Sequence, residues 1–178
     1  MNATPKPDPV FHLLPDRPDA IPVLAAWFFE QWGRHVEGTT LETEIAKVST
    51  YQGRDGAPLM VVATVGGEDG GGEDGDADTG DADAFVGAAA LKVREMSIFP
   101  QYEHWLGNVY VAPARRGQGL ASKLVREVVE RARRAGVERL YLQTESLDGG
   151  LYGRLGFQPV EQVRYRGQEV LVMELPLT

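Results

Sequence analysis

Residues 109–124 read VYVAPARRGQGLASKL: an apolar β-branched run, a proline, a basic glycine turn, then the opening of a long helical pattern. A helix start leaves its first backbone N–H groups unpartnered and carries the positive end of the helix dipole, and small residues let an anion approach the main chain. Gly117, Gly119 and Ala121 supply the small positions, and Arg115 and Arg116 supply positive charge. The stretch reads as an anion cradle, although RRGQG taken alone also fits a tight turn with solvated arginines. It is not a P-loop, because Lys123 lacks the G-K-[S/T] context. Nor is it a dinucleotide fingerprint, since it has two glycines in the wrong register.

Working outward, Leu120, Leu124, Val128, Ala132 and Ala135 fall on one face of the helix that follows, with Arg and Glu opposite and Gly136 as its stop. Residues 140–144 alternate as a strand, 147–155 suit a short helix or a turn, and 157–165 with 168–175 form a hairpin about Arg166-Gly167. Upstream, 59–65 (LMVVATV) is continuously apolar and β-branched, as in a strand buried on both faces, and 85–93 resumes strand character. Residues 10–14 form a short strand. From Asp19, the residues Ile21, Leu24, Ala25 and Phe28, with Trp27 and Trp32, give a core helix with an aromatic face, and Thr40 caps a second helix reaching about Thr50. The order β, α, α, β, β, β, α, β, α, β, β predicts an α/β domain with a mixed sheet.

The chain of 178 residues is 43% hydrophobic and 25% charged, which suits one globular domain over 10–178 behind a flexible, proline-rich tail at 1–9. There are no cysteines, which removes disulfides, thiolate zinc sites and a cysteine nucleophile; His12, His35 and His104 are too scattered to suggest a metal cluster. The formal charge of -8 is local. Eight acids and no Lys or Arg lie within 66–84, and the whole chain's 26 acids and 18 bases leave 18 of each elsewhere. No global field argues for a nucleic-acid partner.

The segment 66–84 has no aromatic or large aliphatic residue before Phe85, so burial cannot offset its ordering entropy, and a disordered loop between two hairpin strands is expected. Asp74, Asp76 and Asp78 alternate like the first ligands of a calcium loop. The sixth position is then Thr79 and the twelfth Phe85, and the match fails. A docking segment for a basic partner is a further reading of the same acids. No apolar run is long enough to span a membrane, and MNATPKPDPV lacks the basic-then-apolar pattern of a signal peptide, so a cytoplasmic location is expected.

Arg116-x-x-Gly119-x-Ala121 resembles the Q/R-x-x-G-x-G/A signature of the GNAT superfamily, behind a V-x-V-x-P strand ending like that family's. A second landmark, Tyr152-Gly-Arg-Leu-Gly156-Phe157, is similar to the family's Y-x-x-x-G-F element. The resemblance covers about residues 10–176. It implies a mostly antiparallel mixed sheet flanked by helices, with acetyl-CoA as acyl donor and transfer to a primary amine, of a small molecule, by direct attack in a ternary complex. A non-catalytic CoA-binding or regulatory module with the same fold is the alternative.

Carried over residue by residue, the resemblance implies that the main chain of Val109, Tyr110 and Val111 pairs with the pantetheine arm as an added strand would. It further implies that Gly117, Gln118, Gly119, Leu120 and Ala121 hold the pyrophosphate with their amides, reinforced by Arg116. The side chain of Gln118 is read as a spectator. Tyr152 matches the tyrosine that protonates the departing thiolate in many members, and its other reading is a core residue beside Phe157. The acceptor must lose a proton before attack; Glu95, His104 and Glu145 are candidates, with Glu95 preferred, and a main-chain amide at Val109 is a candidate oxyanion donor. Phe99, Tyr102 and Trp105 in 96–106 either line the acceptor pocket or cover the core. Family members often dimerise through C-terminal strands, which admits a homodimer here, although the sequence shows no interface of its own.

Overall fold

The computed structural model of the chain describes residues 7–66 and 84–178. All of the segment expected to be disordered except its end residues 66 and 84, the calcium and docking readings of its acids, and most of the proposed tail fall outside the described residues. Seven strands form one sheet in the order β1-β2-β3-β4-β5-β7-β6, with every neighbouring pair antiparallel except β4 and β5. The strands are β1 Val10–Leu13, β2 Leu59–Val65, β3 Ala84–Val93, β4 His104–Val111, β5 Arg139–Thr144, β6 Gln158–Tyr165 and β7 Gln168–Pro176. The helices are α1 Ala20–Gln31, α2 Leu41–Ser49, α3 Leu120–Arg134 and the short α4 Gly150–Arg154. The predicted element order holds throughout.

All seven residues of β2 are buried because helices cover both sheet faces. Met60 and Val62 meet α1 and α2, whereas Leu59, Val61 and Ala63 meet α3, as the two-residue side-chain period requires. Ala88, Ala89 and Ala90 of β3 are fully buried between the same layers, where small side chains let helices approach the sheet from both sides. The one polar group in this wall, Thr64, is satisfied by His12 Nε2 at 2.9 Å, which gives that histidine a structural role.

The ends of the helices follow their sequence signals. Thr40 and Thr43 close a reciprocal capping box at α2, each side-chain oxygen accepting from the other's backbone N–H at 3.2 and 2.9 Å. At the end of α3, Gly136 adopts φ +78, and the amides of Gly136 and Val137 donate to the carbonyls of Arg133 and Ala132 at 3.0 Å each, a Schellman motif. Arg166 and Gly167 both take positive φ, as a two-residue turn between β6 and β7 demands.

The sheet is split near its middle. β4 pairs with β3 from His104 to Val111, and β5 pairs with β7 from Arg139 to Thr144, yet β4 and β5 share only the Trp105–Tyr141 position. Aromatic rings pin that closed end: Tyr102 stacks on Tyr141 with centroids 4.0 Å apart, and Trp105 lies 5.6 Å from Tyr141. Beyond it a bulge sets Asn108 and Val109 of β4 against the single residue Ala89, with Asn108 at φ +49. A bulge bends its strand, so β4 turns away from β5 and a wedge opens toward the C-terminal ends of both.

Candidate active site

From Val111 the chain leaves the sheet through one tight turn at Pro113–Arg115 and reaches Gly117 at φ +74 and Gly119 at φ +79 before α3 begins. A Cβ added at either glycine would meet nothing within 4 Å. The requirement for glycine is therefore conformational, and the space in front of the turn is open. Arg116 ties the turn to the strand it came from: its Nε donates to the Val111 carbonyl at 2.9 Å, and its guanidinium lies 5.5 Å from the centre of the Tyr110 ring. No side chain caps α3, which leaves its first-turn amides and the positive dipole end facing outward.

These amides border a cleft of about 570 Å³ that runs along the free edge of β4. Val109, Tyr110, Val111, Arg115, Arg116, Gly117, Gly119, Leu120 and Ala121 line it. Tyr110 and Leu120 keep their side chains in the core, Tyr110 stacked on Trp27 at 5.0 Å, so what they offer the cleft is main chain. Among the expected cofactor residues Gln118 alone is absent from the lining; its Nε2 turns back to the Ala114 carbonyl at 3.4 Å.

A second cavity of about 510 Å³ lies on the other side of the wedge, walled by α1, α2, β4 and β5. Trp32, Val109, Thr144, Ser146 and Tyr152 line both spaces, so these five residues mark where the two meet. Tyr152, in α4 just beyond β5, packs edge-on against Phe157 at 6.1 Å. Its hydroxyl has no protein hydrogen bond among the described residues. Burial pushes the phenol above its ordinary pKa, so it keeps its proton well past neutral pH. Its ring packs on the core, and the residue borders both cavities.

Glu95 lines the second cavity, pairs with Lys92 and accepts from Gln143 Nε2 at 3.4 Å, so it reaches from the end of β3 to β5. Gly107 of β4 makes that crossing feasible, because a Cβ there would lie 2.6 Å from Lys92 Cδ. Glu145 lines the same cavity, whereas His104 does not. The reason is topological: His104 opens β4 at the pinned end, opposite Val93, and the wedge opens at the other. Phe99, Tyr102 and Trp105 line neither of these cavities and pack in a small third core with Met96, Val170 and Val172.

Several residues of the cavity carried no signal in the sequence. Trp32 was read as part of a buried helical face, yet it is 40% exposed at the junction of the two spaces. Glu44, Lys47 and Tyr51 belong to α2 and the turn after it, and the packing of α2 on α1 brings them to the cavity wall facing β4. Tyr51 hydroxyl donates to Asn108 Oδ1 at 3.5 Å, and burial, then Glu95 and Glu44, raise its pKa. Among the described residues no three His, Cys, Asp or Glu side chains gather as metal ligands, and no helix is long and apolar enough to cross a membrane.

A mixed sheet split between two parallel strands, with an uncapped helix behind a glycine turn at the mouth of the split, is an α/β fold that offers an exposed strand edge beside unpartnered helix amides. The family model for the acetyltransferase (GNAT) family matches residues 67–157, half of the chain, and the chain belongs to that family. A 64-residue segment is 39% identical to the uncharacterized N-acetyltransferase YobR of Bacillus subtilis strain 168; it covers 34% of this chain and only 26% of that relative. Among solved structures, yncA of Salmonella typhimurium, determined with its cofactor acetyl-CoA, superposes with a TM-score of 0.65 at 19% identity over 96% of this chain and 94% of that one. An N-acetyltransferase of Staphylococcus aureus Mu50 gives 0.68 at 17% identity over 96% and 99%. At these identities the structural likeness is one of fold.

Proposed function

We propose that the protein transfers an acetyl group from acetyl-CoA to a primary amine of a small molecule, by direct attack within a ternary complex. The observation that carries this reading is the meeting of two separate spaces at one wall: a cleft bordered by the glycine turn and the α3 amides along the free edge of β4, and a polar cavity beyond it, with Val109 and Tyr152 common to both. The acetyl-CoA held by the fold neighbour yncA supports the identity of the donor.

In this reading the amides of Gly117, Gly119, Leu120 and Ala121 hold the pyrophosphate, with Arg115 and Arg116 adding charge. The free edge of β4 takes the pantetheine arm as it would an added strand, which brings the thioester to Val109. The amine nitrogen attacks the carbonyl carbon, forming the C–N bond, while the Val109 amide faces the oxygen on which charge builds. As the C–S bond breaks, Tyr152 gives its proton to the thiolate, and the proton shed by the amine goes to Glu95.

Thiol release from acetyl-CoA across an amine panel tests the activity. Tyr152→Phe is expected to lower kcat by about 10²–10⁴-fold with little change in acetyl-CoA affinity, because the ring packing survives and only the proton donor is lost. Unchanged turnover in that variant removes the acid role. Tight CoA binding with no thiol release from any amine turns the reading to the non-catalytic module.

A further inference from the structure

We infer that Glu44 is a recognition group for a second ammonium on the acceptor, so that the amine taken by this site is a diamine or polyamine. The inference rests on the transferase reading above and deepens it. Glu44 is the only charged side chain buried among the described residues, at 8% exposure. A carboxylate this enclosed, whose remaining solvent access is through the cavity it lines, favours a cation beside it. The partner it has is weak: Lys47 Nζ reaches Oε1 at 3.2 Å from a side chain that is 63% exposed, and Oε2 has no hydrogen bond among the described residues.

The fold makes room for this carboxylate. Gly33 is buried with an ordinary φ, so its backbone does not require glycine; a Cβ there would lie 3.3 Å from Glu44 Oε1, 3.0 Å from Thr39 and 3.1 Å from Phe29. Glu44 lines the second cavity and not the anion cleft, nor is it among the residues shared by the two. The cavity thus holds two inward carboxylates, Glu95, assigned above to the reacting nitrogen, and Glu44, which is left to answer a second cation. The cavity's other charges leave this role to it: Lys92 is already paired with Glu95, and Glu145 and Arg166 are exposed. The Tyr51 hydroxyl, which feels both Glu95 and Glu44, adds a neutral polar group beside them.

The test compares an α,ω-diaminoalkane series with alkylmonoamines of matched length, by thiol release and by calorimetric binding in the presence of CoA. Wild type is expected to favour the diamines, and Glu44→Gln, which keeps the side-chain volume, to lose about thirtyfold or more in diamine kcat/KM and affinity while monoamine values and acetyl-CoA KM hold. Lys47→Gln, which breaks the same helix pair, is expected to keep the preference. Equal treatment of diamines and monoamines by wild type, or equal loss of preference in both variants, overturns the inference. Absence of turnover with diamine binding still sensitive to Glu44→Gln would instead strike the transferase reading and leave the subsite standing.

Discussion

Replacing Gly119 by alanine isolates what the glycine turn contributes. Gly119 holds φ +79 immediately before α3, and a Cβ there meets nothing within 4 Å, so the substitution introduces no clash and its whole cost is conformational. A non-glycine residue in the left-handed region costs about 1–2 kcal/mol. For a chain of this size that corresponds to a fall in Tm of about 2–8 °C. Urea unfolding with an unchanged m-value is the appropriate assay, since a shifted midpoint at constant slope reports stability alone. If the turn relaxes to relieve the strain, the α3 amides lose their alignment. CoA affinity, measured by calorimetry, is then expected to fall about tenfold or more, the worth of one charge-assisted hydrogen bond. Gly119→Asn should recover part of both losses, because asparagine tolerates the left-handed region. A Gly119→Ala protein with the wild-type urea midpoint and CoA affinity would refute the conformational argument, since nothing else in the surroundings of Gly119 constrains it.

Two further outcomes follow from groups whose surroundings are equally defined. The Tyr51 phenol titrates above its ordinary value in the folded chain, so the folded state keeps a proton that the unfolded chain releases; stability is full below about pH 10 and declines above it by about 1.4 kcal/mol per pH unit. Tyr51→Phe should flatten that decline in denaturant midpoints taken between about pH 9 and 11, and parallel slopes would show that Tyr51 carries none of it. Leu124 is fully buried where α3 lies against β3, its Cδ1 2.9 Å from where a Cβ on Gly87 would sit. Leu124→Ala should cost about 2–5 kcal/mol in urea unfolding, and a loss under about 1 kcal/mol would mean that the helix settles onto the sheet to fill the space.

Much of the fold was legible in the sequence because its signals are local. The buried, β-branched run of β2, the Thr40 cap, the Gly136 stop and the Arg166-Gly167 turn each depend on neighbours within a few positions, and each appears where the sequence puts it. The cleft beside β4 was legible for the same reason: its lining is nearly continuous from Val109 to Ala121, and strand, turn and helix follow one another directly. The sequence reads the Gln118 side chain as a spectator, and in the structure its amide turns back onto the Ala114 carbonyl.

The second cavity is different. Its walls come from Trp32, Glu44 and Tyr51 before the acidic segment, Glu95 and Val109 in the middle, and Tyr152 and Arg166 near the end. Nothing in local spacing links these positions. They converge because β7 inserts between β5 and β6, and because the Asn108–Val109 bulge swings β4 away from β5 while α2 packs alongside. The sequence alone therefore determined the elements, the glycine turn ahead of α3 and the family signature, all written in short-range pattern. Tertiary structure decided that the wedge opens away from His104, that the aromatics of 96–106 close a core, and that Glu44 faces a cavity, because each depends on the order of strands and the side on which they part.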